Sequence, residues 1–412
     1  MMTDSRKTTF ILIMIFGNIY CRDIYFTESK QGTSVAKLST AVNQFGVDLY
    51  KRLASRGNEQ VFFSPFSLST ALTMAYLGAK GETAAEMRGT LGFLKAGLEV
   101  EEVSRSFYEA FELLGNGQRD YQLDLADMAL IQNNYRVLDD YKRTLEGNLH
   151  ADIKLVDFVY DGLGVKDSVN SWVSSKTHNK ITSLLSKPLD SLTRLFLLNA
   201  VYFKGMWITQ FDRKKTVHLP FFNQKRLSKS VPMMKVTSKF PYSYDNNLKY
   251  KVLELPYKGD RISMVIILPE KEYGLKNVES SLTSDSLNRL VNSLQVRKVD
   301  VTLPKFKLED SPMVKQYLQD MGIKKAFSTA ADFSGISGRQ DLYVEDVLHK
   351  AVIEVNEEGS EAAAVTGVVI SLKSASAHEE HIEIFNADHP FLFFIRDKVS
   401  GIILFMGSVN DL

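Results

Sequence analysis

The sequence predicts one large domain of the α+β class, and three observations lead to this prediction. Apolar residues recur at helical spacing through the N-terminal third of the chain. From about Leu195 onward, segments rich in β-branched and aromatic residues are typical of strands. Neither a Gly/Ser-rich linker nor an internal repeat divides the 412 residues, so we expect helices and sheets to share a core.

The N-terminal third is predicted to be helical. A first helix carries an apolar stripe made of Leu38, Val42, Phe45, Leu49 and Leu53. Gly57 follows this stripe and is predicted to cap the helix. Ser64 and Pro65 indicate the start of a second helix, because proline fits the first helical turn. Thr83 and Glu86 have the spacing of a capping box and indicate the start of a third.

The centre and the C-terminus are predicted to be strands. The central candidates are Leu195–Trp207, Val252–Leu255, Ile262–Leu268 and Val299–Leu308. In the last of them the apolar positions change from odd to even numbers at Pro304. Because proline interrupts a strand ladder, this change predicts either a bulge or a crossing between two sheets. Phe391–Ile395 and Ile402–Met406 predict a hairpin.

The N-terminus has the order of a secretory signal. Arg6 and Lys7 precede the apolar run Phe10–Phe16, and a short polar stretch leads to Cys21, the sole cysteine. The run is shorter than the ~20 residues of a membrane span. We therefore expect cleavage of residues 1–21 and an extracellular location reached by secretion, including storage in secretory granules. A retained anchor and a disordered tail are the alternatives.

Charge and motif content exclude several classes of function. Fifty Lys and Arg against 49 Asp and Glu give a net charge of +1, too small to favour nucleic acid or an anionic membrane as a partner. No nucleophile elbow, P-loop or dinucleotide-binding glycine motif is present. The two histidines of His378–His381 are three residues apart rather than four, which indicates a solvated loop rather than a zinc site. We expect a monomer that is not an enzyme and uses no metal or cofactor.

The segment Glu354–Ser374 is the most informative part of the chain. It passes from alternating strand character to small residues and then to β-branched residues before a lone lysine. Read with strand period two, one face is small and uncharged, and it comprises Ser360, Ala362, Ala364, Thr366 and Val368. The other face comprises Glu361, Ala363, Val365, Gly367 and Val369. Such a segment can enter a sheet without burying a charge. An alanine-rich helix and a plain loop are the alternatives.

Five further blocks agree with one known family. They are Phe62–Ser67 with Leu77–Ala79, Asn170–Val173 with Thr177 and Lys180–Ile181, Asn199–Trp207, Leu303–Phe306, and Phe385–Phe391. Together with the segment above, they make residues 22–412 resemble the serpins, the serine-protease-inhibitor family. The resemblance implies a single domain with three β-sheets and eight or nine helices. It also implies an exposed reactive-centre loop at about residues 357–384.

The resemblance implies a mechanism as well. In serpins a protease cuts the loop and is trapped as an acyl-enzyme, while the loop inserts into the central sheet as a new strand. The family places the reactive bond fourteen residues after the hinge glycine, which here gives Lys373-Ser374. A lysine at this position implies trypsin-like target proteases, and a clotting or haemolymph cascade is the expected setting. The hinge residues are Glu357, Gly359, Ser360, Glu361, Ala362, Ala363, Ala364, Val365 and Thr366. Their small side chains disfavour the alternative, a serpin that acts as carrier, storage protein or chaperone.

Two structural clusters follow from the same resemblance. Lys305 and Glu357 should pair at the breach, where loop insertion starts. The shutter beneath the central sheet should comprise Ser64, Ser67, Asn199 and His349. The other histidines are interpreted as surface or satisfied core residues, and they are His150, His178, His218 and His389.

Two regions bear on further partners. Residues 95–114 correspond to the helix that binds heparin in some extracellular serpins, but here they carry a net charge of −3. We therefore expect no glycosaminoglycan to bind through this helix, while Arg213–Lys215 and Lys225-Arg226 leave weak binding elsewhere open. The segment 374–389 beyond the reactive bond is longer than in many serpins.

Overall fold

The structure is a computed structural model, and it describes residues 33–55, 57, 60–115, 120–223, 227–310, 313–360 and 381–412. The predicted signal peptide lies outside the described residues. So do the reactive bond Lys373-Ser374 and the hinge residues from Glu361 to Thr366.

Ten α-helices occur in the described part of the chain. They are α1 (33–55), α2 (Pro65–Gly78), α3 (Gly81–Thr90), α4 (Val100–Gly115), α5 (Asp139–Asn148), α6 (Gly162–Lys176), α7 (Leu275–Ser281), α8 (Ser284–Asn292), α9 (Lys315–Met321) and α10 (Ser334–Ser337). Short 3-10 helices span Arg213–Lys215 and Lys325–Phe327. This count exceeds the eight or nine helices that the family resemblance implied, because it includes very short helices such as the four-residue α10. None of the described helices is both long and apolar enough to cross a membrane.

The same residues contain fifteen strands. They are β1 (Val61–Phe63), β2 (Tyr121–Gln132), β3 (Asp152–Val156), β4 (Leu195–Met206), β5 (Val217–Phe222), β6 (Ser228–Asp245), β7 (Tyr250–Pro256), β8 (Ile262–Pro269), β9 (Gln295–Pro304), β10 (Phe306–Asp310), β11 (Val344–Val355), β12 (Gly359–Ser360), β13 (Ile382–Asn386), β14 (Phe391–Asp397) and β15 (Ile403–Val409).

These strands form two hydrogen-bonded assemblies. A six-stranded sheet has the order β10-β11-β12-β4-β2-β3, and β11 also pairs directly with β4. A nine-stranded assembly has the order β1-β15-β14-β8-β7-β6-β9-β13, with β5 paired to β6. The 18-residue β6 joins two groups of strands, because it pairs with β5 and β9 over most of its length and with β7 only at Tyr242–Asp245. Together with the six-stranded sheet, these groups give the predicted α+β architecture.

The change of parity at Pro304 is a crossing between sheets. β9 ends at Pro304 in the nine-stranded assembly, and β10 begins at Phe306 in the six-stranded sheet. The predicted C-terminal hairpin is also present, since β14 and β15 pair antiparallel.

The predicted capping box of the third helix is wrong. The N-cap position is three residues before Thr83, at Lys80, and α3 begins at Gly81. The hydroxyl of Thr83 instead accepts a hydrogen bond from the amide of Asp332 at 3.0 Å. The carboxylate of Glu86 accepts two bonds, each of 2.7 Å, from the amides of Lys324 and Lys325. Both side chains therefore bind a distant segment, which a local motif cannot encode.

Two helices cover the faces of the six-stranded sheet. α2 is buried at every residue except Leu77, as expected for a helix surrounded by core, and its N-cap Ser64 accepts a hydrogen bond from the amide of Ser67. α6 packs on the opposite face through a small apolar cluster that includes Val165, Val169 and Val173. α2 therefore lies directly beneath the strands that carry the candidate site.

Candidate functional site

The centre of the six-stranded sheet contains one parallel pair of strands, which we call the seam. β11 and β4 pair in parallel from Val347 opposite Leu197 to Val352 opposite Tyr202. At one end of the seam, the two-residue strand β12 lies between them. Ser360 pairs antiparallel with Val355 of β11 and with Gly205 of β4. A strand that continued from β12 along the seam would replace one parallel ladder by two antiparallel ladders, which are slightly more stable per residue.

The end of the seam holds β12 through several contacts. The amide of Trp207 donates to the carbonyl of Glu358 at 2.9 Å, and the rings of Trp207 and Tyr257 stack at 4.3 Å. The hydroxyls of Tyr257 and the fully buried Ser360 lie 2.7 Å apart. Gly359 has φ +153°, and a Cβ there would lie 2.0 Å from the carbonyl oxygen of Gly205. Only glycine fits this close approach of two backbones.

The predicted breach residues lie together beside β12. Lys305 Nζ is 3.0 Å from Glu357 Oε2, and the hydroxyl of Thr216 donates to Glu357 Oε1 at 2.8 Å. Burial raises the pKa of Glu357, but the hydrogen bonds from Lys305 and Thr216 outweigh it and hold this pKa below its usual value. The neighbouring Glu358 contacts Arg213. Two acidic residues before β12 are therefore tied to basic residues from other elements.

The predicted shutter residues also form one network. The amide of Ser64 donates to His349 Nε2 at 3.0 Å, which leaves the proton of a neutral ring on Nδ1. Nδ1 faces Asn199 Oδ1 within hydrogen-bond distance. The Nδ2 group of Asn199 donates to the hydroxyl of Ser67 at 2.5 Å. Burial lowers the pKa of His349 to about 3, so the ring is neutral near pH 7.

Sequence reasoning missed a fifth member of this network, Asp127. Its Oδ1 accepts a hydrogen bond from Asn199 Nδ2 at 2.7 Å, and the residue is only 4% exposed. Burial raises the pKa of Asp127 to about 7. The signal was present in the sequence, because Asp127 interrupts an otherwise apolar row of alternate residues in β2, which comprises Leu123, Leu125, Ala129 and Ile131.

The structure describes only some of the remaining predicted site residues. Ser360 is the last described residue before the reactive bond, and β13 begins at Ile382 on the far side of the loop. His381 Nε2 lies 3.5 Å from Glu383, while His378 lies outside the described residues.

The helix predicted over residues 95–114 begins later, at Val100. Lys95 precedes it and donates to Gln44 at 2.9 Å, and Arg105 pairs with Glu109 at 2.8 Å. Both basic side chains of this region therefore have partners within the chain. That the helix does not bind a glycosaminoglycan stays a prediction.

Comparison with known proteins agrees with this geometry. The sequence model of the family described as Serpin (serine protease inhibitor) matches residues 40–412, and the chain belongs to this family. It is 55% identical to "Intracellular coagulation inhibitor 2" of Tachypleus tridentatus over 98% of each chain. It is 42% identical to "Intracellular coagulation inhibitor 1" of the same organism over 97% of each chain. Among solved structures it is similar to Serpin48 of the insect Tenebrio molitor, with 33% identity, a TM-score of 0.81, and coverage of 91% of this chain and 98% of that one.

The family that this model describes is one of serine protease inhibitors, and both relatives above are named coagulation inhibitors, so a serine protease is the general class of partner that these comparisons support. The expected extracellular location is wrong, because both relatives above are named intracellular. That expectation depended on the basic and apolar order of the first residues, although Ile19 departs from the small residue that a signal cleavage site favours.

Proposed function

We propose that the protein inhibits trypsin-like serine proteases as a suicide substrate, with Lys373-Ser374 as the reactive bond. The observation that carries this proposal is β12. Gly359 and Ser360 of the hinge are already paired between β4 and β11, in the antiparallel direction that further insertion would follow. Lysine fits the acidic primary pocket of trypsin-like enzymes.

Insertion after cleavage fits the dimensions of the seam. Beyond the positions already paired with Ser360, ten residues of β4 (195–204) and eleven of β11 (344–354) remain, so they would pair with most of the 13 residues from Glu361 to Lys373. Ala362, Ala364 and Thr366 would occupy the same face as the buried Ser360. The breach pair Lys305 and Glu357 would mark the fixed end of this movement. The hydrogen bonds among the shutter residues would break as β4 and β11 separate.

We propose a coagulation protease as the target. Support comes from the relatives whose names describe coagulation inhibitors. The lysine at position 373 fits this class, because proteases of clotting cascades commonly cut after basic residues.

A serpin without inhibitory activity is the second candidate. Its loop would be cut without insertion, as expected when bulky or charged residues occupy the hinge. The run Ala362-Ala363-Ala364 argues against it, since these side chains can be buried without loss of hydration energy.

Incubation with trypsin followed by denaturing electrophoresis tests the proposal. We expect a covalent complex whose mass is that of the protease plus the cleaved inhibitor. N-terminal sequencing of the small released fragment should begin at Ser374. Cleavage at this bond without any complex would support the non-inhibitory candidate instead.

A further inference from the structure

Five exposed apolar side chains lie at the end of the six-stranded sheet opposite to β12, and we call them the pole patch. They are Leu155, Val159, Tyr160, Leu163 and Leu192, and each is between 41% and 90% exposed. A single exposed leucine on a protein surface needs no explanation. A cluster of this kind is the mark of an interaction surface.

The end of β2 lies between the two halves of the pole patch. The side-chain oxygen of Gln132 accepts a hydrogen bond at 2.9 Å from the amide of Phe158, two residues before Tyr160. The amide of Gln132 donates at 3.0 Å to the carbonyl of Arg194, two residues after Leu192. Both halves therefore flank the end of one strand.

Local hydrogen bonds hold the backbone of the pole patch in place. Oδ1 of Asp157 accepts bonds from the amides of Val159 and Tyr160, both at 3.0 Å. These bonds, above all the one from Tyr160, hold the pKa of Asp157 below its usual value. Oδ1 of Asp190 accepts a bond from the amide of Leu192 at 2.7 Å. The apolar side chains are thus carried by turns that are already fixed, which reduces the entropy lost when a partner covers them.

The proposed insertion would end beside the pole patch. Ser360 is paired with Gly205 of β4, and each later residue of an antiparallel strand pairs one position earlier. Thirteen steps along both strands bring Lys373 level with Leu192. β4 begins at Leu195, so only the last three residues before the cut would extend beyond it, over about 10 Å. A protease joined to Lys373 would therefore lie against this end of the sheet.

We propose that the pole patch is the docking surface of the trapped serine protease, and that docking there prolongs the life of the covalent complex. This inference rests on the proposed function, because only completed insertion carries the protease from one end of the seam to the other. It adds a contact that neither the hinge nor the reactive bond supplies.

Docking opposes the reaction that ends the complex. In that reaction water attacks the ester carbonyl of Lys373, which leaves a carboxylate on the inhibitor, releases a proton and returns the serine hydroxyl to the protease. The catalytic groups of the protease must be aligned on the ester for this hydrolysis. A protease whose surface is buried on the pole patch is held in one orientation by a short tether, so it can realign these groups only after it leaves the patch. The life of the complex should therefore increase with the apolar area that docking buries.

Hydroxyl-radical footprinting with mass spectrometry tests the docking directly, because Tyr160 is 90% exposed and therefore open to oxidation. Its oxidation rate is compared in the intact protein, in the isolated complex with trypsin, and in cleaved protein separated from the protease. We expect a fall of about fivefold or more in the complex alone, since the core of an interface is removed from solvent. Tyr273 is the reference residue, because it is also exposed and follows β8 in the nine-stranded assembly.

Three results of this measurement would overturn the inference. Protection of Tyr160 in cleaved protein without trypsin would assign it to a change within the inhibitor. Protection that rises with the concentration of the intact protein would assign the pole patch to a second copy of this chain. A complex in which Tyr160 keeps its full reactivity would show that the protease does not cover the patch.

Loss of the apolar side chains should shorten the life of the complex. In the double variant Leu163→Ser and Leu192→Ser, we expect trypsin activity to return from the isolated complex about tenfold faster or more, because two large apolar side chains no longer contribute to docking. Both positions are exposed, so the fold should be unaffected. Val399→Ser is the matched control, because Val399 is 69% exposed, against 67% for Leu192, and lies between β14 and β15. Its complex should last as long as that of the wild type.

The yield of complex separates this inference from the proposed function. The double variant should form the covalent complex in the same yield as the wild type, because the protease reaches the pole patch only after insertion. Equal lifetimes of the two complexes would contradict only the role of the pole patch. Failure of the wild type to form any complex with trypsin would contradict the proposed function and, with it, this inference.

Discussion

Tyr257 joins the hinge to the end of the seam through a single hydroxyl. Its ring stacks on Trp207, and its hydroxyl reaches the side chain of Ser360 in β12. Burial raises the pKa of Tyr257 well above its usual value, so the group stays neutral at all physiological pH values. The contact between Tyr257 and β12 therefore depends on a neutral hydrogen bond and on packing, and it acts beside the ion pairs of Glu357 and Glu358.

Replacing Tyr257 by Phe should destabilise the protein by about 1–3 kcal/mol, because it leaves the buried hydroxyl of Ser360 without this partner. Ser360→Ala should have a similar effect on the tyrosine hydroxyl. The double variant should cost less than the sum of the two, since neither group then remains unpaired. Urea denaturation of the four proteins measures this coupling. Strict additivity would show that the two hydroxyls do not support each other.

The reactive residue gives a second prediction at this scale. Lys373→Ala should abolish inhibition of trypsin, because the acidic primary pocket of the protease loses its charged partner. Lys373→Arg should keep most of the activity. Second-order inhibition rates for the three proteins measure the effect. Full activity of the alanine variant would place the reactive bond elsewhere.

Among the elements, several with a local signal were predictable from the sequence, although the local capping box at Thr83 and Glu86 was wrong. The apolar stripe from Leu38 to Leu53 lies within α1, and Pro65 begins α2 as predicted. The crossing at Pro304 also had a local signal, the change of the apolar positions from odd to even numbers. That signal alone did not distinguish a crossing from a bulge. These features depend on residues close together in the chain, where periodicity and backbone restrictions act directly.

The seam could not be predicted from periodicity. The register between Asn199 and His349 joins residues 150 positions apart, and it depends on how α2 packs beneath both strands. The shutter was expected from family resemblance alone. For Asp127 the interrupted apolar row of β2 indicated a buried polar residue, but its partner Asn199 lies on another strand and could be identified only from the fold.

The hinge segment gives the prediction at the scale of an element. Thr366→Arg should place a charge on the face that is buried during insertion, at a cost of several kcal/mol. Insertion should then be slower than deacylation, and the variant should be cut as a substrate. Glu361→Arg, on the opposite face, should have a much smaller effect. The ratio of covalent complex to cleaved product measures both, and equal ratios would contradict the period-two interpretation of the loop.

At the scale of the whole molecule, the described structure retains a sheet that is open to one more strand. Of the residues that the structure describes, only Gly359 and Ser360 lie between β4 and β11, and the two strands are otherwise held together by parallel pairing and by the network around Asn199. Under the proposed mechanism, extension of β12 along the seam would lower the free energy of this six-stranded sheet, so the uncut form would not be the most stable one. The native fold is therefore expected to persist because the uncut loop cannot extend along the seam.

Cleavage within the loop should accordingly raise stability. Insertion of the 13 residues from Glu361 to Lys373, at about 1 kcal/mol of net hydrogen-bond energy each, would contribute on the order of 10 kcal/mol. For a chain of this length, 1 kcal/mol shifts the unfolding temperature by roughly 1 °C, so calorimetry should show a rise of about 10 °C or more after cutting at Lys373-Ser374. Thr366→Arg, cut in the same way, should show a smaller rise, because its loop cannot insert past position 366. If cleavage leaves the unfolding temperature unchanged, the loop does not insert into the seam, even though the protease cuts the reactive bond.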